Sequence, residues 1–191
     1  MAKTELAAGT ALFPVPAVMI SCGSATGERN IVTVAWVGTV CSDPPMVAIG
    51  LRASRHSHHI ISGAEEFVVN IPSEEQTVAM DYCGLVSGKD HDKFAECGFT
   101  VIKSSKLDFA PIIAECPVNL ECKVRQVLNL GSHDLFIAEV VAVQVDESLV
   151  SGNRIDHVAV KPVCYVSGTY YGLGEMIAKG GAGKQMKIRQ G

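Results

Sequence analysis

Short apolar runs alternate with polar residues along most of this chain, and Gly, Pro, Asp and Ser interrupt them at short intervals. ALFPVPAVMISC, from Ala11 to Cys22, predicts a first strand with its prolines at the entry, where a missing N–H is tolerated. Ala25 to Asn30 contains Gly27 and predicts a hairpin turn. A second strand is predicted over Ile31 to Cys41, a turn at Ser42-Asp43-Pro44-Pro45, and a third strand over Met46 to Leu51. EFVVNI, Glu66 to Ile71, reads as a further strand. Val118 to Leu130 and Asp134 to Val145 are rich in β-branched residues and predict two long strands joined by Gly131-Ser132-His133. Val160 to Ser167 predicts the last strand.

The predicted helices are short. They cover Ser57 to Gly63, Glu74 to Cys83 behind Ser73 as N-cap, Lys89 to Phe94, and Leu173 to Ala178. Strands and helices do not alternate over long stretches, which argues against a doubly wound sheet. A mainly β fold follows, a six- or seven-stranded antiparallel barrel with short flanking helices. A chain of 191 residues fits one domain over 1–191, with 179–191 as a flexible or dimer-docked tail.

Composition removes several function classes. An apolar content of 48% supplies a full core, and a net charge of -4 gives no footprint for nucleic acid. Only Met176 to Arg189 is locally basic, and it is glycine-rich. The apolar runs are of strand length, so no membrane span is expected. The N-terminus lacks a secretory pattern, which points to the cytoplasm. The seven cysteines form no CxxC pair and are odd in number, so they read as small hydrophobes in a reducing compartment. Cys41 and Cys83 fall nearest the candidate site described next.

Asn30 to Leu51, NIVTVAWVGTVCSDPPMVAIGL, breaks the pattern. Asn30, Thr33, Trp36 and Thr39 are spread through otherwise strand-like sequence. Such a surface suits a flat polar ligand, although Thr and Trp also favour strands for ordinary reasons. Downstream, LRASRHS offers Arg52, Ser54, Arg55 and Ser57 as anion donors, with helix N–H groups beginning near Ser57. The plainer reading of that stretch is a solvated basic turn. His56-Ser57-His58-His59 invites a metal reading, but its spacing converges poorly and the sequence offers no carboxylate or thiolate partner. No metal is expected. Neither GxGxxG nor GxxxxGK occurs.

FPVPAVMISC (13–22), NIVTVAWVGTVCSDPPMVAIGLR (30–52), FVVNIPSEE (67–75), DYCGLVSGKDHDKF (81–94), ECPVNLECKV (115–124), LGSHDLFIAEV (130–140) and YVSGTYYGLGE (165–175) follow one another in order. This series resembles the flavin reductase-like family with its FMN-binding split barrel, and within it the flavoredoxin-like branch. The resemblance implies a homodimer with FMN near the subunit interface and NADH or NADPH as transient electron donor. It implies an FMN-dependent NAD(P)H:acceptor oxidoreductase. An FMN electron carrier fed by a redox-protein partner and a non-catalytic FMN-binding dimer are the alternatives. A pyridoxamine-phosphate oxidase-like enzyme shares the broad architecture, but the DPP, SGK and GSHDLF strings fit it less well.

By the same resemblance, Asn30, Thr33, Ala35, Trp36, Val37, Gly38 and Thr39 would lie along the flavin. Backbone groups and a threonine hydroxyl would meet its pyrimidine edge, and Gly38 would allow close backbone approach. Trp36 could instead pack at a dimer interface. Arg52, Ser54, Arg55 and Ser57 would hold the phosphate. Ser87, Gly88, Lys89 and Lys93 would form a second phosphate- or flavin-side segment, with Lys93 pairing either the phosphate or a carboxylate that fixes the loop. His133 would stand near flavin and nicotinamide as the catalytic residue, orienting the donor. Its plainer reading is a turn histidine bonded to backbone. Ala138 stands where the family often has glycine.

Overall fold

In the computed structural model, which describes residues 1–185, the longest strands form one antiparallel sheet. They are Val18–Gly23 (β1), Arg29–Val34 (β2), Val37–Ser42 (β3), Pro45–Leu51 (β4), Glu66–Ile71 (β5), Val118–Asn129 (β6) and Asp134–Val145 (β7). Their order across the sheet is β2-β1-β5-β6-β7-β4-β3. Every residue of β1 is buried, because both faces of that strand are covered. Val18, Ile20 and Cys22 point into a core shared with Val32, Val34, Val47, Ile49, Leu51, Phe67, Val69 and Phe136. Met19 points the other way, into a second core with Ile31, Met80, Cys83 and Phe94.

The segment read as one strand from Ile31 to Cys41 is two. β2 pairs with β1 as far as Val34, opposite Val18. β3 begins at Val37, opposite Ile49 of β4. The chain therefore crosses from one edge of the sheet to the other at Ala35–Trp36. Val34 and the half-buried Val37 both pack on the inner core, which draws the two edges together. The Gly50 N–H donates to the Trp36 carbonyl at 2.8 Å and ties β4 to the bend. A Cβ at residue 50 would lie 3.2 Å from the Trp36 Cβ, so glycine suits that close approach.

Among the described residues, three α-helices flank the sheet: His56–Ala64 (α1), Thr77–Leu85 (α2) and Lys93–Glu96 (α3). Ile60 and Ile61 of α1 enter the inner core. The helix does not stop at Gly63 as expected. It ends at Glu65, in the left-handed region at φ 56°, whose N–H returns to the Ile61 carbonyl. The next residue must enter β5, where the Glu66 carboxylate accepts from the backbone N–H groups of Asp108, Phe109 and Ala110. A turn of 3₁₀-helix at Glu74–Gln76 precedes α2, and Ser73 and Gln76 form a capping box there. Asp92 caps α3 by accepting from the N–H groups of Phe94 and Ala95.

Two further expectations are corrected. The strand expected over Val160 to Ser167 shrinks to Cys164–Val166, paired with Val15–Pro16 and Thr169–Tyr171. Pro162 has no N–H to give a ladder, and Lys161 takes a positive φ of 51°. No helix forms over Leu173 to Ala178. Gly174 interrupts it, and Leu173, Met176 and Ile177 are all exposed, so it has no apolar face docked on the fold. A 3₁₀ turn at Ala182–Gln185 follows instead. Lys187 and Arg189 of the basic tail lie outside the described residues. Among the described residues, no helix is long and apolar enough to cross a membrane.

Candidate functional site

Two hollows open at the Ala35–Trp36 bend, and a third adjoins them at Arg55. One, of about 340 Å³, is lined by Thr33, Ala35, Trp36, Arg52, Arg55 and His133, with Val32, Val34, Gly50 and Leu51. A second, of about 420 Å³, shares Thr33, Ala35, Trp36 and Arg55, and is walled by Asp81, Gly84 and Leu85 of α2 with Tyr165 and Tyr170. The third is a small polar well of about 90 Å³ among Asn30, Ser54, Ser57, Ser87, Gly88 and Lys93. Arg55 borders all three. Together they make a groove over β2 with a polar well at one end.

The well is built from donors. Asn30 is 3% exposed, and its Nδ2 donates to Ser57 Oγ at 2.9 Å. Its Oδ1 is buried without a hydrogen-bond partner among the described residues, which costs free energy unless something fills the well. Turning the amide over keeps one bond to Ser57 and aims the –NH₂ at the well, the orientation an anion would favour. Lys93 is 3% exposed and donates from Nζ to the carbonyls of Ile31 and Cys83, both at 2.7 Å. Burial pulls its pKa below the ordinary lysine value. Arg55 Nη1 donates to the Gly84 carbonyl at 3.1 Å. Arg55 is also the N-cap of α1 and makes no side-chain cap bond, so the helix start has no side-chain acceptor of its own.

The longer part of the groove has a different character. Ala35 lies between the last pair of β2 and the first pair of β3, outside both ladders. Trp36 is 38% exposed. The Thr33 hydroxyl donates to the Met80 carbonyl, so it fastens α2 to β2. A Cβ on Gly84 would lie 3.1 Å from the Thr33 Cβ, which makes this crossing tight. At the far end, His133 Nδ1 lies 2.9 Å from Ser132 Oγ. The next residue, Asp134, is held by His58 Nε2 at 2.7 Å and Asn129 Nδ2 at 2.7 Å. Those two bonds keep the Asp134 carboxyl below the ordinary carboxylate range. The hairpin that presents His133 is thus pinned to α1.

Comparison with known proteins settles the family. The model of the flavin reductase like domain matches residues 10–174. The chain belongs to the flavin reductase-like family. The solved flavoredoxin of Desulfovibrio vulgaris (Miyazaki F) is 33% identical, with a TM-score of 0.88, covering 96% of this chain and 100% of that one. A solved split-barrel-domain protein from Shewanella frigidimarina NCIMB 400 is 23% identical with a TM-score of 0.79, over 87% of this chain and 85% of its own, and has the same fold. Among sequence relatives, the NADH:riboflavin 5'-phosphate oxidoreductase of Streptomyces pristinaespiralis is 26% identical over 132 residues, 69% of this chain and 72% of that protein. The mainly β architecture with short flanking helices is therefore this family's split barrel.

Within this flavin reductase-like fold, Asn30, Thr33, Ala35, Trp36, Arg52, Ser54, Arg55, Ser57, Ser87, Gly88, Lys93 and His133 come together around the groove. Val37, Gly38, Thr39 and Lys89 are not among the groove's lining residues. Val37 packs on the inner core, and Gly38 and Thr39 are exposed on β3 beyond the bend. Lys89 is exposed. Lys93 bonds backbone carbonyls and not a loop carboxylate, because its Nζ is enclosed between β2 and α2. The Thr33 hydroxyl proton is likewise engaged by Met80.

Neither candidate cysteine faces the groove. Cys41 lies on β3, and Cys83 is buried in the second core, 3.8 Å from Cys97 Sγ, where burial pushes its thiol up to about 12. Sequence reasoning missed Asp81, Gly84, Leu85, Tyr165 and Tyr170. Asp81, Gly84 and Leu85 repeat at helical spacing along one face of α2, the available signal. Tyr170 Oη donates to Asp81 Oδ1 at 2.9 Å; burial, with that bond, pushes the phenol up to about 12.

Proposed function

We propose that this protein is an FMN-dependent oxidoreductase that takes hydride from NADH or NADPH and passes electrons to a small acceptor. The observation that carries the reading is the junction at Arg55, where hollows of about 340 and 420 Å³ meet a donor-rich well of about 90 Å³. A flavin mononucleotide has that same division, a planar ring system and a terminal phosphate. The buried, unpartnered Asn30 Oδ1 supports a ligand in the well. Arg55, Ser54, Ser57, Ser87 and the remaining Lys93 N–H would bind the phosphate. Arg52 adds charge at the mouth. The backbone around Ala35 supplies hydrogen bonds for a ring edge, and Trp36 supplies apolar cover.

When bound, FMN supplies the hydride-accepting and electron-passing chemistry. The chain's own groups bind, orient and exclude water. His133 orients the nicotinamide donor, Asp134 holds the hairpin beneath it, and the α2 face with Leu85 closes the opposite side of the groove. The printed name of the Streptomyces relative supports NADH as donor. The homodimer remains part of the proposal. Trp36, Val40, Val127, Leu128 and Leu130 are exposed apolar side chains on the bend, β3 and the β6–β7 hairpin, and a second copy would cover them.

The rival reading is an FMN electron carrier fed by a redox-protein partner, favoured by the 33% identity to flavoredoxin. Fluorescence titration of FMN tests the shared part of both. Quenching that saturates at one FMN per chain supports it. FMN that stays free at all protein concentrations contradicts it.

A further inference from the structure

The fold assembles a ligand set that the chain order hides. Glu28 sits in the β1–β2 hairpin, whose register is fixed by the Ser24 N–H donating to the Glu28 carbonyl at 2.9 Å. His56 and His59 stand at i and i+3 in the first turn of α1, and so on one face of it. Packing of α1 on the sheet brings the three together. His56 Nε2 lies 3.0 Å from Glu28 Oε1, and His59 Nε2 lies 3.3 Å from Glu28 Oε2. The ligand atoms all fall within 4.8 Å of one another. The two imidazoles meet edge to face, with centroids 4.9 Å apart.

We infer that Glu28, His56 and His59 form a binding site for a divalent transition-metal ion, with zinc the best match. Bonds of 2.0–2.1 Å from zinc to nitrogen and oxygen place tetrahedral ligands about 3.3 Å apart. Each histidine lies close to that spacing from its own carboxylate oxygen, 3.0 Å to Oε1 and 3.3 Å to Oε2, and the three ligand atoms within 4.8 Å need only a small side-chain adjustment to close on one ion. Two imidazoles select zinc, nickel or copper over magnesium and calcium, which prefer oxygen. Three protein ligands leave a position for water or an anion. The neighbouring His58 is not available, because Asp134 holds it on the other side of the helix. His56 also lines the polar well, so the ion would stand at its rim.

The ligands come from two elements, so metal capture joins the β1–β2 hairpin to α1 and stabilises the fold by mass action. Without metal, Glu28 simply bridges two histidines at the helix start. This site is independent of which donor or acceptor the protein uses, and it does not require FMN.

The test is zinc uptake by the purified holoprotein after chelator treatment, measured by metal analysis and calorimetric titration. The expected result is one zinc per wild-type chain, a raised Tm, and loss of both effects in Glu28→Gln and in His59→Ala. Absence of uptake by the wild type overturns the inference. Uptake that persists in both variants also overturns it, because the zinc would then sit elsewhere, for instance on thiols. Cobalt(II) gives a second measurement on the unaltered protein. A weak visible d–d spectrum fits the nitrogen and oxygen ligands, whereas a strong near-ultraviolet thiolate band contradicts them.

Discussion

Gly88 passes so close to Asn30 that a Cβ on residue 88 would lie 2.0 Å from Asn30 Oδ1. Asn30 is held from below by Ser57 and cannot swing freely away. Gly88→Ala must therefore displace either the loop or the amide, and both line the polar well. Overpacking of this kind costs about 1–3 kcal/mol. The expected outcome is a lower Tm together with weaker FMN retention, read by thermal melting and by FMN titration.

The two arginines separate by position. Arg55 borders every part of the groove, whereas Arg52 borders only the hollow that contains His133. Loss of a charge-assisted hydrogen bond costs about 1.5–3 kcal/mol, roughly a 10- to 150-fold change in binding. Arg55→Ala is expected to weaken FMN by that amount, and Arg52→Ala by less. Equilibrium dialysis of FMN with each variant gives the ranking.

His133 and Asp134 form a presenting residue and its support. His133→Ala is expected to slow flavin reduction by NADH while FMN affinity stays within a few-fold. Asp134→Asn removes the carboxylate that His58 and Asn129 hold, so the hairpin loosens. Its reduction rate should fall in the same direction, by a smaller factor, with FMN affinity again preserved. Stopped-flow rates set beside FMN dissociation constants separate the two effects.

Glu121 predicts an acid response. It is fully buried. Burial alone would push its carboxyl up, but the Ser105 and Lys106 N–H groups, the Gln144 amide and the Ser105 hydroxyl hold it below the ordinary range. A carboxylate depressed in the folded state binds its proton less readily than in the unfolded chain. Its contribution is present above the unfolded value of about 4.3 and is lost as pH falls through the lower folded value. Glu121→Gln is expected to cost about 1–3 kcal/mol at neutral pH and to flatten the acid side of the stability curve. Urea unfolding between neutral pH and pH 3 measures both.

Much of this was readable before the structure. Runs of apolar and β-branched residues bounded by turn residues located β4, β5, β6 and β7 closely. The first strand, expected from Ala11, begins only at Val18, after a separate short strand at Val15–Pro16. The Ala35–Trp36 break was not legible. AWV continues the apolar run without a glycine or proline, and only the competing pairings of Val34 with Val18 and Val37 with Ile49 divide it. The anion-binding donors were visible as Arg, Ser and Lys in short strings. The fate of Lys93 was not, since its carbonyl partners Ile31 and Cys83 carry no sequence signature. Glu28 gave no hint of meeting His56 and His59, because that contact depends on α1 packing across the β1–β2 hairpin.

The most direct test mixes FMN-loaded protein anaerobically with NADH, and separately with NADPH, while the flavin absorbance is followed. The account predicts rapid bleaching by at least one of them, and slower bleaching in His133→Ala. A flavin band that neither nucleotide bleaches, but dithionite still removes, would contradict direct reduction and assign the protein to electron carriage from a protein partner.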